Sequence, residues 1–468
     1  MVLVGKRTIL PGLGPSAGPS RIAARYVPRK RIRTPVYGYA SRRSIATTVS
    51  QREVDSLIPS LEDLGLQGGD DVTVAVSGGV DSATTLRMLC ELPVNLHVIF
   101  MRNWDPLLSE SPSSRADDSS YSLSYQSNNS KSGCQWERDW NDVISLTRSI
   151  GISQDKVRLV DLSKEYWSRV FEPSINVWEG GGTPNPDVDC NREIKFGALM
   201  EHLPKRPRHF LATGHYGHVD HTSGQSRLMR AKDRTKDQTY YLSQMSESQL
   251  NRTILPLGKL TKSTVRQLAN YWNLPNANKE ESMGVCFIGE RGKFGDFISQ
   301  YTSPPTTQGH IVSLSGEVLG EHKGLWYYTI GQRAKIANQL KPLFVAKKGV
   351  GKDNNDILVV PGKDHPMLKC TSLTTGKFHW IHGSCPTELI VNDIERKINV
   401  QDRYRISPVF SKVRELNDGT SGVIIDLLEP LSGVSPGQVA AIWCGDWCLG
   451  SGVIRDTTCL GQESVTEG

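Results

Sequence analysis

Between residues 72 and 89 the chain reads VTVAVSGGVDSATTLRML. A β-prone run meets Ser77-Gly78-Gly79-Val80-Asp81-Ser82, and a helical pattern follows. Such a junction points free backbone N–H groups, at the positive end of a helix dipole, toward an anion such as phosphate. The glycines let the main chain come close, and the serine hydroxyls add donors. The loop holds no lysine and the chain has no GxxxxGK[ST], so this is not a Walker A site. Asp81 would repel phosphate unless it holds Mg²⁺. A second reactive stretch, TPNPDVDCNREIKFGAL, sets Asp187 three residues before Cys190. That spacing suits a general acid or base working on a thiol or a bound substrate. A third, SMGVCFIGERGKFGDFI, carries Cys286. His215, in TGHYGH, reads either as a ligand or base or as a hydrogen-bonded ring at a sheet's C-terminal edge, where α/β sheets bind ligands.

Regular elements must position these groups. The run 72–76 reads as a buried strand. The helix begins near Ser82, turns Leu86, Leu89 and Cys90 to one face, and closes at Pro93. NLHVIFM (95–101) is a second strand. Strand, helix, strand in so short a span is a βαβ unit, which requires a parallel sheet with a right-handed crossover. KVRLVDL (156–162) and HFLATGHYG (209–217) read as further strands. Gly and Pro make 180–187 a loop, CNREIKFGALM opens a helix, and 261–274 is an amphipathic helix. The Ser-rich stretch 106–133 has few core formers and is expected to be a disordered insertion. After about residue 295, short strands alternate with Gly turns. From about 364 the succession is regular enough for a small β-barrel.

SGGVDS in this setting resembles the PP-loop of the ATP pyrophosphatase group, whose members cleave ATP between its α and β phosphates. Cys190 and Cys286 in their motifs, with ATGHY, KDQTYYL and GEHKGLWYYTIGQR, make the chain similar to the tRNA-specific 2-thiouridylases, from about residue 70 to about 455. With its basic start, it looks most like their mitochondrial branch. The resemblance implies an α/β fold in three parts. These are a parallel-sheet PP-loop domain at 68–292, a small central β-rich domain at 293–363 and a C-terminal β-barrel tRNA-binding domain at 364–468. It also implies roles. Ala75, Val76, Ser77, Gly78, Gly79, Val80, Asp81 and Ser82 would hold ATP with Mg²⁺, and Met101 and Gly214 would line the adenosine. Asn185, Pro186 and Asp187 would meet the target base. Cys190 would be the nucleophile and Cys286 the persulfide carrier. Lys236, Asp237, Gln238, Arg403 and Tyr404 would contact tRNA. The family usually places an apolar residue before the nucleophile. Here it is Asp189, whose charge should raise the thiol's pKa unless a helix N-terminus offsets it.

The chemistry is coherent from below. Oxide is a very poor leaving group, so replacing O2 of a uridine by sulfur calls for adenylation, which turns that oxygen into AMP. A cysteine persulfide then delivers nucleophilic sulfur, and a second cysteine can attack the persulfide and leave a disulfide. A small-molecule synthetase of the same group would need no such cysteine pair, and a non-catalytic tRNA binder would need neither the pair nor the intact loop.

Composition sets the outer bounds. The chain has 468 residues, 37% hydrophobic and 22% charged, which suits about three globular domains. Nine scattered cysteines do not read as a disulfide-stapled secreted domain. No apolar run approaches the length of a membrane span. Residues 1–52 hold 11 of the 55 Lys and Arg and no Asp or Glu. An Arg-rich, acid-free start reads as a disordered mitochondrial transit peptide, which implies the matrix. The remaining 44 basic residues face 49 acidic ones. A tRNA partner must therefore be met by local clusters at 204–209, 230–236 and 402–405. A sulfur carrier protein of the cysteine desulfurase relay is the further partner implied, and the chain is expected to act as a monomer.

Overall fold

The computed structural model describes residues 50–104, 135–221, 224–280, 294–303, 309–337, 339–385, 398–416 and 419–461. Most of the expected transit segment, the Ser-rich insertion and Cys286 lie outside them. Helix α1 (Gln51–Leu57) starts with a capping box in which Ser50 and Glu53 satisfy each other's backbone N–H groups, and Val54 is fully buried. The expected end of the leader at residue 52 thus falls inside an ordered helix.

A five-stranded parallel sheet carries the first half. Its strands are β1 (Asp71–Ala75), β2 (Asn95–Arg102), β3 (Val157–Asp161), β4 (His209–Ala212) and β7 (Thr253–Ile254), in the order β3-β2-β1-β4-β7. β1 is central, with Val74 opposite Val98 on one side and Ala212 on the other. Side chains alternate across the sheet. Val72, Val74, Val98 and Phe100 pack under helix α2 (Val80–Leu89) and helix α3 (Gln135–Ser149) through Ala83, Leu86, Leu89, Val143 and Leu146. Ile99 and Leu211 face the opposite layer, which contains Cys190 and Ile194. Two sequence readings shift. α2 begins at Val80, two residues before the expected start, because Gly79 already serves as its N-cap. The strand expected over 209–217 stops at Ala212, because the chain leaves the sheet to cross the glycine loop.

The central part is a second five-stranded sheet of β8 (Gly309–Val312), β9 (Val318–His322), β10 (Arg333–Ala334), β11 (Leu343–Val350) and β12 (Asp356–Pro361), in the order β10-β11-β12-β8-β9. The C-terminal part is a closed barrel. β13 (Lys369–Trp380), β16 (Val423–Ser432), β15 (Val409–Glu415), β14 (Ile398–Gln401), β17 (Val439–Cys444) and β18 (Trp447–Cys459) pair in that order, and β18 returns to β13. A hairpin from the first half, β5 (His218–Asp220) and β6 (Arg227–Met229), adds to the barrel. Cys448 of β18 pairs with Leu228, and Trp447 with Met229. No helix among the described residues is long and apolar enough to cross a membrane.

Candidate active site

The cradle follows directly from β1. Val76 is buried and its N–H donates to the Ile99 carbonyl at 2.9 Å, so the strand holds its line to the last residue. Gly78 then adopts φ +79°, in the left-handed region that favours glycine, and a Cβ there would sit 3.0 Å from the Asp139 carbonyl. The Asn276 amide donates to the Gly78 carbonyl and fixes the turn. The Ser82 hydroxyl accepts from the Ser77 N–H at 3.2 Å and donates to the Gly79 carbonyl at 3.1 Å, closing the loop on itself. The first-turn N–H groups of α2 have no carbonyl one turn back and are turned to whatever the loop holds. Gly214 passes over this turn so closely that a Cβ would lie 2.7 Å from the Ser82 nitrogen. Ala75 ends β1 half-buried, and Met101, near the end of β2, packs against the cluster containing Cys190. The residues expected to hold a nucleotide therefore meet at one edge of the sheet.

Asp81 is not left facing the loop unanswered. Lys262 Nζ lies 2.7 and 2.6 Å from its two oxygens, and the Tyr216 hydroxyl donates to it at 2.8 Å. Lys262 is buried at the first position of the helix Lys262–Tyr271, capped by Thr261. A lysine of the chain thus stands against Asp81 where the sequence reading expects Mg²⁺. Among the described residues, no group of three or more His, Cys, Asp or Glu side chains could hold a metal ion.

The sulfur side is built on one helix. Asn185 caps it by accepting from the Val188 N–H at 3.3 Å, Pro186 takes its first position, and it runs to Glu201. Over Cys190–Ala198 its turns widen to an i→i+5 spacing, which brings Cys190 and Lys195 to one face. Cys190 is 4% exposed. Burial pushes the Asp187 carboxyl above its usual pKa range, and the positive charge of Lys195 opposes this. Burial also raises Asp189, and Arg192, 2.9 Å away, answers its charge. The negative neighbour of Cys190 therefore has its own counter-ion.

His215 joins the two halves. It is half-buried, with Nδ1 2.8 Å from the Thr213 hydroxyl and Nε2 3.4 Å from Lys195 Nζ. An ammonium only donates, so Nε2 accepts and the ring proton sits on Nδ1. Burial, seconded by Lys195, holds its pKa well below the usual value, which keeps the ring neutral. Of the sequence alternatives, the structure takes the hydrogen-bonded ring. The path from cradle to thiol helix runs Ser82, Gly214, His215, Lys195.

The loop before Cys190 is clamped where all three parts of the fold meet. Gln438 of the barrel donates to the Thr183 and Pro184 carbonyls at 3.1 and 3.2 Å and accepts from Asn185 at 3.2 Å. Asn185 also donates to the buried Tyr240 hydroxyl at 3.3 Å. From the central sheet, Lys348 donates to the Tyr328 carbonyl at 2.8 Å and the Gly182 carbonyl at 3.3 Å, and burial lowers its pKa to about 8. Tyr241 and Tyr404 face each other with centroids 4.7 Å apart. Burial first, then the negative charge of Asp187, raises the Tyr241 hydroxyl, so this aromatic pair lies beside the acid.

The expected tRNA contacts divide. The Asp237 carboxylate is buried and takes hydrogen bonds from Arg230 at 2.9 Å, the Ala231 N–H at 3.0 Å and Thr239 at 2.9 Å. Gln238 and Tyr216 exchange two hydrogen bonds, of 2.8 and 3.0 Å. These two side chains brace the fold, whereas Lys236 is only half-buried. Arg403 donates to the Ser432 carbonyl at 2.6 Å and to Asp402 at 3.0 Å. Of the basic clusters, Arg208 is held by Asp70. Arg230, Lys232, Arg234 and Lys259 line a cleft of about 390 Å³ where the hairpin meets the barrel. Sequence reasoning missed Lys262 and Asn276, whose partners Asp81 and Gly78 are distant in the chain, and Lys195 and Tyr241, whose place beside Asp187 only the fold shows. No disulfide joins the described cysteines, and the one raised as an expectation, between Cys190 and Cys286, involves a residue outside them.

A parallel sheet with this glycine cradle, a central β-sheet and a closed barrel define a PP-loop nucleotide-binding protein with two appended β modules. Family models match each part in turn: a tRNA methyl transferase HUP domain over residues 70–290, a PRC-barrel domain over 295–361 and an aminomethyltransferase β-barrel domain over 370–454. The chain is 37% identical over 393 residues to the tRNA-specific 2-thiouridylase MnmA of Burkholderia pseudomallei, covering 82% of this chain and 93% of the relative. The MnmA of Paraburkholderia phymatum is 36% identical over the same span. The chain belongs to the tRNA-specific 2-thiouridylase family. A solved U34-tRNA thiolase, NcsA from Methanococcus maripaludis, overlaps 53% of this chain and 71% of its own at 16% identity and a TM-score of 0.30, which adds nothing to that assignment.

Proposed function

We propose that the chain is an ATP-dependent sulfurtransferase that 2-thiolates the wobble uridine of tRNA. The observation that carries this reading is the unbroken run of contacts from the phosphate cradle, through Gly214 and His215, to Lys195 on the Cys190 helix. One site then serves both activation of an oxygen and its replacement by sulfur. The cradle suits ATP because Gly78 and Gly214 let the main chain close against Asp139 and Ser82, which holds the loop's free N–H groups in place for phosphate. Bound there, it supplies an adenylyl group that makes the uridine O2 a leaving group. Mg²⁺ would be held chiefly by the phosphates, since Asp81 is already engaged by Lys262.

Asp187, shifted toward neutrality by burial, is suited to take the proton that the base loses as O2 reacts. The terminal sulfur of a persulfide on Cys286 attacks C2 and expels AMP. Cys190 then attacks the Cys286 sulfur, the S–S bond to the base breaks, and its electrons stay on the new thiocarbonyl. The cysteines are left as a disulfide, which an external thiol must reduce before a sulfur carrier protein reloads the persulfide. Tyr404 and Tyr241 beside Asp187 are placed to flank a base, and the Lys232–Arg234 cleft and Lys236 to meet phosphate. The acid-free start supports a mitochondrial matrix location.

The test uses purified chain, ATP, a persulfide donor and unmodified tRNA, read as pyrophosphate release and as 2-thiouridine by mass spectrometry. Cys286→Ser should lose thiolation and keep tRNA-dependent pyrophosphate release. Thiolation at wild-type rate in that variant would refute the scheme.

A further inference from the structure

We infer that Cys370 and Cys459 form a second, separate dithiol, which closes to a disulfide across the seam of the C-terminal barrel. The two face each other in the antiparallel pair of β13 and β18, the pair that turns the sheet into a closed barrel. Their register type is fixed by the bonds beside them. The Leu460 N–H donates to the Lys369 carbonyl at 2.9 Å, which places Cys370 and Cys459 in a non-hydrogen-bonded position. At such positions Cα atoms approach to about 4.5 Å, within the span a disulfide bridges. The thiols hydrogen-bond to each other, and Cys370 also donates to the Ser372 carbonyl at 3.2 Å. Cys370 is completely buried, whereas Cys459 is half-exposed at the last position of β18. One sulfur is thus reachable from outside, and the other waits behind it. Its exposure favours Cys459 as the sulfur that reacts first.

The co-reactant is a small disulfide such as glutathione disulfide. The Cys459 thiolate attacks it, forms a mixed disulfide and releases one glutathione thiol. Cys370 then attacks the Cys459 sulfur, releases the second glutathione and closes the bridge. Two protein thiols are oxidised and one disulfide is reduced to two thiols. The bridge would tie the first strand of the barrel to the last, around a loop of about 90 residues, where chain-entropy arguments give a crosslink a large effect. The pair lies apart from Cys190, so the inference does not depend on the thiolation reading.

The experiment is equilibration of the full chain in glutathione buffers from reducing to oxidising, followed by acid quench, alkylation and peptide mass spectrometry. A Cys370–Cys459 linked peptide should accumulate with oxidation in both wild type and Cys190→Ser. Oxidation should also raise the melting temperature by several degrees in wild type and not in Cys459→Ser. Cys459→Ser, half-exposed, should melt like reduced wild type, and it is used in place of Cys370→Ser, which would bury a hydroxyl in the barrel core. If both thiols are fully alkylated after equilibration with glutathione disulfide alone, the inference fails. It also fails if the linked peptide is missing from the Cys190→Ser protein.

Discussion

The cradle and the thiol helix both use a helix N-terminus, yet they are built differently. The cradle is eight consecutive residues, Ala75–Ser82, whose backbone supplies most of the donors. The thiol helix presents side chains: Lys195 and Arg192 on the same helix answer the charges of Asp187 and Asp189, while Gln438 of the barrel and Lys348 of the central sheet hold the loop that leads into it. An anion site can be written locally because amide dipoles are always present. A carboxyl with a shifted acidity, like the buried thiol beside it, needs burial, and burial needs the whole fold.

The sharpest way to break this division is to remove the sulfur chemistry alone. Cys190→Ser should yield no 2-thiouridine above background while tRNA-dependent pyrophosphate release persists. Loss of both would mean that the halves are not separable. Asp187→Asn should slow thiolation by about 10²–10⁴-fold, the usual worth of a positioned acid or base, with the melting temperature unchanged or raised. Gly214→Ala tests the other half. Its methyl would press on the Ser82 nitrogen, so kcat/KM for ATP should fall about 10²-fold, in pyrophosphate release as well as thiolation.

Smaller effects sharpen the contrast. Lys262→Met leaves Asp81 with Tyr216 alone and should cost about 1–3 kcal/mol in chemical denaturation. Asp81→Asn combined with it should recover part of that loss. The smallest effect is electrical. Lys195 lowers the pKa of Asp187, whose ionised form is the working base, so activity falls as pH drops through that pKa. Lys195→Met lets the pKa rise, and the acid limb of the pH–rate profile should move to higher pH. A limb that stays put would show that Lys195 does not act on Asp187.

How far each part was legible follows the same division. The β1–α2–β2 unit could be read because Val72, Val74, Leu86 and Val98 contact one another within a short segment. Its loop pointed to the PP-loop group for the same reason, while the motifs around Cys190 and Cys286 pointed to the family. Lys262 could not be read as a partner of Asp81, since its place in TKSTV looks like any polar helix start. Asp237 and Gln238 sit in a recognisable motif, but only coordinates show that their side chains are consumed inside the fold. The strand over 209–217 was overextended because ATGHY is apolar enough to continue it. What stops it is the nearness of the Ser82 turn, a contact between distant segments.

The hairpin β5–β6 has a consequence for any attempt to dissect the chain. It lies within the nucleotide-binding half in sequence, yet its outer ladder is completed by β18. Cutting the chain before the barrel would strip that ladder and leave an open strand carrying Leu228 and Met229 exposed to self-association. The parallel-sheet half should therefore be insoluble when expressed alone. The barrel's last strand belongs to its foundation as much as to the barrel.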